Sequence, residues 1–315
     1  MRKTVCCLIL IQCSLVQYSQ IIADHTVIDR YGDIPQYYID EVKKMWLSYT
    51  GESHSQALRT GLLNLETAFP KYSVSVVEYA SEPEGYTTEN LRVNRATWGD
   101  YNNSTGWIWS YGEEDWWTNS TAISRTKAGL LHCKNSGPAL SALGFFWCWD
   151  PYWYENVSSG TDPVTGNHWY GWSVGSPSGD GAWGLDDADN AATGNSVNLD
   201  DYLSATQGYI DYCLANNIST KVFFTTGPVD DVGPAEAKYQ AHLKYERIRE
   251  YVKADASRIL FDYADILCYN DGSETPSTLT WNDKTFPTIT STNAGDGSVG
   301  HIGSAGALRL AKAMW

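Results

Sequence analysis

The stretch MWLSYTGESHSQALRTGLLNLETAF, residues 45–69, decides the fold. Met45 to Tyr49 is apolar and reads as a strand, and Thr50-Gly51-Glu52-Ser53-His54-Ser55 reads as a tight turn. Ala57 to Phe69 then places Leu58, Leu62, Leu63, Leu65 and Ala68 at helical spacing, and Pro70 stops it. Strand, glycine turn and helix in that order open a β-α-β unit. Upstream, residues 34–48 begin as a short helix and run into the strand.

Working outward, the alternation continues. Tyr72 to Tyr79 is a β-branched strand, Thr121 to Cys133 a helix, and Leu140 to Trp149 a buried strand ending at Asp150. Asp201 to Asn216 is helical, Lys221 to Thr226 a strand, Glu236 to Ala254 a long amphipathic helix, Arg258 to Asp262 a short strand, and Ala305 to Met314 the last helix. The pattern predicts an α/β chain: one three-layer α/β/α domain over residues 21–315, with a mostly parallel five-stranded sheet. Two stretches break the rhythm, Trp98 to Ser120 and Pro151 to Leu199, both rich in Gly, Trp, Asn and Asp. Long insertions in a compact domain are usually functional, and in open sheets sites lie beyond the carboxyl ends of strands.

Residues 1–20 read as a signal peptide. Arg2 and Lys3 precede an apolar run from Thr4 to Val16 that is too short to span a bilayer, so the chain is expected outside the cytoplasm, secreted or periplasmic. Gln12 is a poor residue before a lipidated cysteine, which disfavours lipidation at Cys13. A net charge of −15 argues against nucleic acid and anionic membrane as partners. Four cysteines remain after the leader: Cys133, Cys148, Cys213 and Cys268. Their wide spacing leaves disulfides and buried free thiols equally open, and offers no zinc motif. The acidic run Asp186, Asp187, Asp189, Asp200, Asp201 lacks the regular spacing of a calcium loop and reads as solvated. No metal or cofactor is expected.

Tryptophan is in excess. Of 14, eleven fall between residues 98 and 183: Trp98, Trp107, Trp109, Trp116, Trp117, Trp147, Trp149, Trp153, Trp169, Trp172 and Trp183. Indole has a flat apolar face and one N–H, which suits the C–H faces and hydroxyl rims of sugar rings. A polysaccharide or oligosaccharide partner is the expectation, with Trp147, Trp153, Trp169 and Trp172 among the binding residues.

Ser53 sits where the first strand hands over to its helix, so free N–H groups surround its oxygen. Asp296-Gly297-Ser298-Val299-Gly300-His301 lies just before the last helix, and His301 is a candidate base toward a serine hydroxyl. With these two ends in view, the whole mature chain resembles the SGNH (GDSL-like) hydrolase superfamily. Thr50 to Ser55 resembles its Gly-Asp-Ser block, with Glu52 in place of Asp. Glu84-Gly85-Tyr86-Thr87-Thr88 resembles its second block, Val222 to Pro228 its strand ending in Thr-x-Pro, and Asp296 to His301 its terminal Asp-x-x-His. The resemblance implies Ser53 as nucleophile and His301 as base, with Asp296 the candidate orienting carboxylate. It also implies an oxyanion hole from the N–H groups of Ser53 and Gly85. Two positions depart from the family. Trp149 stands where its oxyanion asparagine belongs, ahead of a matching Asp150. Asp296 precedes His301 by five residues, with Ser298 at the expected place.

Three functions follow as expectations. The first is a carbohydrate esterase that removes acyl groups, acetyl above all, from an extracellular polysaccharide. The second is a polysaccharide lyase or glycoside-cleaving enzyme, with His301 or Tyr86 as base and Arg92 or Arg95 clamping a carboxylate. The third is a non-catalytic glycan-binding protein. Glu52, His54 and Asp150 complete the expected substrate-binding set.

Overall fold

The structure is a computed structural model describing residues 20–51, 53–77, 87–95, 115–135, 139–155, 158–161, 166, 168–172, 181–229 and 231–315. Residues 1–19, most of the segment read above as a signal peptide, lie outside this set. In chain order the elements begin with β1 (Ile22–Ala23), α1 (His25–Ile28), α2 (Gln36–Val42), β2 (Trp46–Thr50), α3 (Ser53–Ala68), β3 (Val74–Val77) and β4 (Leu91–Asn94). Then come α4 (Asp115–Thr118), α5 (Ser120–Asn135), β5 (Ala142–Phe145), β6 (Ser158–Thr161), β7 (His168–Tyr170), α6 (Asn190–Thr193) and α7 (Leu199–Ala215). The chain closes with β8 (Lys221–Thr225), α8 (Ala235–Lys253), β9 (Leu260–Phe261), α9 (Tyr263–Cys268), β10 (Thr278–Trp281), β11 (Lys284–Pro287), α10 (Ser291–Ala294) and α11 (Ser304–Met314).

Seven strands form one parallel sheet in the order β1-β9-β8-β5-β2-β4-β3. Period-two alternation divides their side chains between two cores. Trp46, Leu143, Phe145, Val222, Phe224 and Leu260 pack with α5, α7 and α8. Leu47, Tyr49, Leu91, Val93, Phe223 and Phe261 pack with α3, α9 and α11. The layers are therefore helix, sheet and helix, and β2 is buried along its whole length because both faces are covered.

The five-stranded expectation is corrected to seven. The unanticipated strands are β1, whose two residues are too few to show alternation, and β4, of four. Leu91-Arg92-Val93-Asn94 also mixes polar with apolar side chains, yet all four are buried because β4 lies between β2 and β3. The long Leu140 to Trp149 run is strand only over Ala142–Phe145, after which the chain leaves the ladder.

The described parts of the Pro151 to Leu199 insertion are packed rather than loose. The insertion contains the antiparallel β6–β7 pair and α6, with Trp169 and Trp183 fully buried. Nor is its acidic run simply solvated. Asp189 is buried and accepts from Trp169 Nε1 at 3.1 Å and Leu185 N at 2.7 Å, Asp201 completes a capping box with Asn198, and Asp200 pairs with Arg247. Most of the Trp98 to Ser120 insertion lies outside the described residues.

Candidate functional site

The chain reverses direction across the sheet at β2. It moves to β3 and β4 on one side, then returns to β5 and onward on the other. Such a switch point leaves a crevice beyond the carboxyl ends of β2 and β5. Ser53 opens α3 at one wall of this crevice, and Cys148 follows β5 at the other. Gly51 makes the turn. Its φ is +122°, and a Cβ there would stand 2.2 Å from the Phe146 carbonyl oxygen, so no side chain fits.

His301 arrives from the far end of the sequence. Val299 N donates to Ile302 O at 2.9 Å and Ile302 N donates to Val299 O at 3.2 Å, closing a two-residue turn. Gly300 and His301 both have positive φ, +53° and +71°, the signature of a type I′ turn. Non-glycine residues in that region are uncommon, although histidine is among those that adopt it more readily, and such positions gather at functional sites. Gly300 is seated against the first turn of α3, where a Cβ would lie 2.1 Å from Ser53 O. The backbones bearing Ser53 and His301 are thus in direct contact.

Between them stands Cys148, which the sequence reading counts only among four cysteines. Its Sγ is 3.2 Å from Ser53 Oγ and 3.4 Å from His54 Nδ1. The His54 and His301 rings are tilted at 4.9 Å. Burial pushes the Cys148 thiol up to about 11, against the lowering effect of the Ser53 hydrogen bond, so at neutral pH it is a thiol and not a thiolate nucleophile. Burial also drives His54 well below the usual histidine value, reinforced by His301, so its ring is neutral. The available signal for Cys148 was its place just after a buried strand, two residues before Asp150. Among the described residues, Cys133, Cys148, Cys213 and Cys268 form no disulfide.

The remaining expected residues divide. Asp296 does not orient His301: it is exposed, and its carboxylate accepts from Ser298 N at 3.1 Å and Ser298 Oγ at 2.6 Å. Those bonds hold its pKa below the ordinary value. No hydrogen bond joins Ser53 to His301. Asp150 is buried beside Cys148 and accepts the Cys148 N–H at 3.3 Å. Arg92 is buried within β4 and donates to Thr87 Oγ1, while Arg95 follows the end of that strand. Glu52, Gly85 and Tyr86 lie outside the described residues.

The tryptophans divide too. Trp116, Trp147 and Trp169 are fully buried and Trp117 almost so, which removes them from any sugar platform. Trp147 donates to Thr225 O at 3.1 Å and Trp116 to Thr206 Oγ1 at 3.0 Å, so these indoles found N–H partners inside the core. Trp149, Trp153 and Trp172 are half-buried and form a file from the site: His301 to Trp149 at 4.5 Å, Trp149 to Trp153 at 4.9 Å, Trp153 to Trp172 at 5.5 Å. Trp98, Trp107 and Trp109 lie outside the described residues.

No protein-family model matches the chain, and no curated protein matches it.

Proposed function

We propose that the chain is an exported carbohydrate esterase of SGNH type, acting at Ser53 and His301 on acyl groups of a polysaccharide. The observation that carries this reading is the seating of the Gly300–His301 turn on the Ser53 backbone at the switch point of a parallel sheet. In the proposed cycle Ser53 Oγ turns from Cys148 toward His301 and attacks the ester carbonyl while His301 takes its proton. The oxyanion takes the Ser53 N–H at the start of α3, a donor that is engaged with the Cys148 sulfur before substrate arrives. His301 then protonates the departing sugar oxygen, and water releases the acyl group by the same route in reverse. The file of Trp149, Trp153 and Trp172 gives a sugar ring apolar faces leading to that point.

Binding without turnover is the second reading. It is favoured by the Asp296 carboxylate being taken up by Ser298, and by the Ser53 hydroxyl being held by a thiol. Against the lyase reading, Arg92, one of its two candidate carboxylate clamps, is buried within β4. One experiment separates the three: purified protein incubated with acetylated and deacetylated plant and algal glycans. Free acetate supports the esterase. New unsaturated ends support the lyase. Retention on the glycan with neither product supports binding alone.

A further inference from the structure

We infer that His54, Cys148 and His301 form a binding site for Zn²⁺ in the crevice between β2 and β5. One ligand-type atom from each, two imidazole nitrogens and a thiol sulfur, lies within 4.8 Å of the other two. A tetrahedral zinc with bonds of about 2.3 Å to sulfur and about 2.05 Å to nitrogen sets its S···N edge at about 3.6 Å. The His54 Nδ1 to Cys148 Sγ distance is 3.4 Å, already at that value. Ser53 Oγ, 3.2 Å from the same sulfur, is an oxygen at hand for the exchangeable fourth position.

The three side chains come from three separate places: the first turn of α3, the segment after β5, and the type I′ turn. None of the pairings follows from helical repeat spacing. Each ring is also held from behind. The edge of Tyr263 meets the His54 ring, and the Tyr263 hydroxyl donates to the His54 carbonyl at 3.3 Å. Trp149 covers His301, and the Cys148 N–H is fixed on Asp150. Such outer contacts orient metal ligands. A thiolate with two imidazoles selects a borderline-soft ion over Mg²⁺ or Ca²⁺. On binding, the Cys148 S–H bond breaks, its proton leaves to solvent and an S–Zn bond forms, the cation supplying the charge that burial withholds from the thiolate. The ion would engage the His301 nitrogen needed as base, so Zn²⁺ is expected to suppress acetate release. That consequence rests on the esterase reading, whereas the binding itself does not.

The test is spectroscopic. Chelator-stripped full chain is titrated with Co²⁺ and then with Zn²⁺. The expected result is one Co²⁺ per chain with a thiolate-to-cobalt charge-transfer band, displaced by one equivalent of Zn²⁺ and absent in C148S. H54Q and H301Q should each weaken Zn²⁺ binding by about 100-fold or more. The Asp24–His25–Asp265 cluster elsewhere on the sheet edge has no sulfur, so binding there gives no band. Metal uptake without the band, or a band that survives in folded C148S, overturns the proposal. Should C148S fail to fold, alkylation of the wild type decides: Zn²⁺ should protect Cys148, and no protection overturns the site.

Discussion

Asp296 spends its carboxylate on Ser298, and this sets which single substitutions matter. D296N should leave acetate release within about twofold, whereas S53A and H301Q should each lower it by about 10⁴-fold, as loss of a member of such a constellation does. Initial rates on one acetylated glycan check all three. A large loss in D296N would mean that the Asp296 loop rearranges onto His301 during turnover. Lys244 offers a separate test of buried electrostatics. It is fully buried, donates to the carbonyls of Pro151 and Tyr170, both at 2.7 Å, and lies 3.7 Å over the Trp183 ring. Burial pulls its pKa well below the lysine value of 10.5, against the attraction of Asp189 and Asp150. The folded chain therefore releases this proton where the unfolded chain still holds it, and stability rises with pH from the folded-state pKa up to the ordinary lysine value. The stability difference between wild type and K244M should climb through that window by up to about 1.4 kcal/mol per pH unit. Urea unfolding at a series of pH values measures it, and a flat difference would contradict the assignment.

Among the elements, the type I′ turn carries the most consequence for the least sequence. G300A places a Cβ at positive φ and 2.1 Å from Ser53 O. It should cost at least about 2 kcal/mol of stability from the strained backbone and the displaced helix end. Denaturant unfolding checks the loss, and a neutral G300A would show that the turn is not seated as described. The tryptophans separate by element as well. W153A and W172A should each weaken polymer binding about tenfold while leaving a small aryl acetate nearly unaffected, because the small ester needs only the Ser53 centre. W147A should instead destabilise the fold by about 3–5 kcal/mol and impair both substrates. Equal losses on polymer and aryl ester in W153A would point to a packing role there too. Elements of this kind differ in how far sequence reveals them. The β2–α3 unit was legible because a short, largely apolar run, a glycine turn and a helix with its apolar residues at helical spacing follow one another directly. The strands β1 and β4 were not: β1 has only two residues, and β4 mixes polar with apolar side chains although all four are buried. Nor was the division of tryptophans, since an indole beside Gly and Asn looks alike whether its N–H meets water or Thr225 O.

For the molecule as a whole, the alternation of strands and helices specified the α/β class and the parallel sheet. The strand order, and with it the switch point, came only from the structure. That order brings residues 53, 148 and 301 to one crevice. Cys148 escaped notice because a cysteine after a buried strand has no spacing signal until its neighbours from α3 and the last turn are placed beside it. No helix among the described residues is long and apolar enough to cross a membrane. The central claim is that the Ser53 oxygen is the nucleophile that His301 activates. A serine-directed fluorophosphonate followed by peptide mapping tests it most directly. The account predicts a single adduct on Ser53 that is lost in H301Q. An adduct on Cys148, or none on Ser53 in the folded wild type, would contradict it.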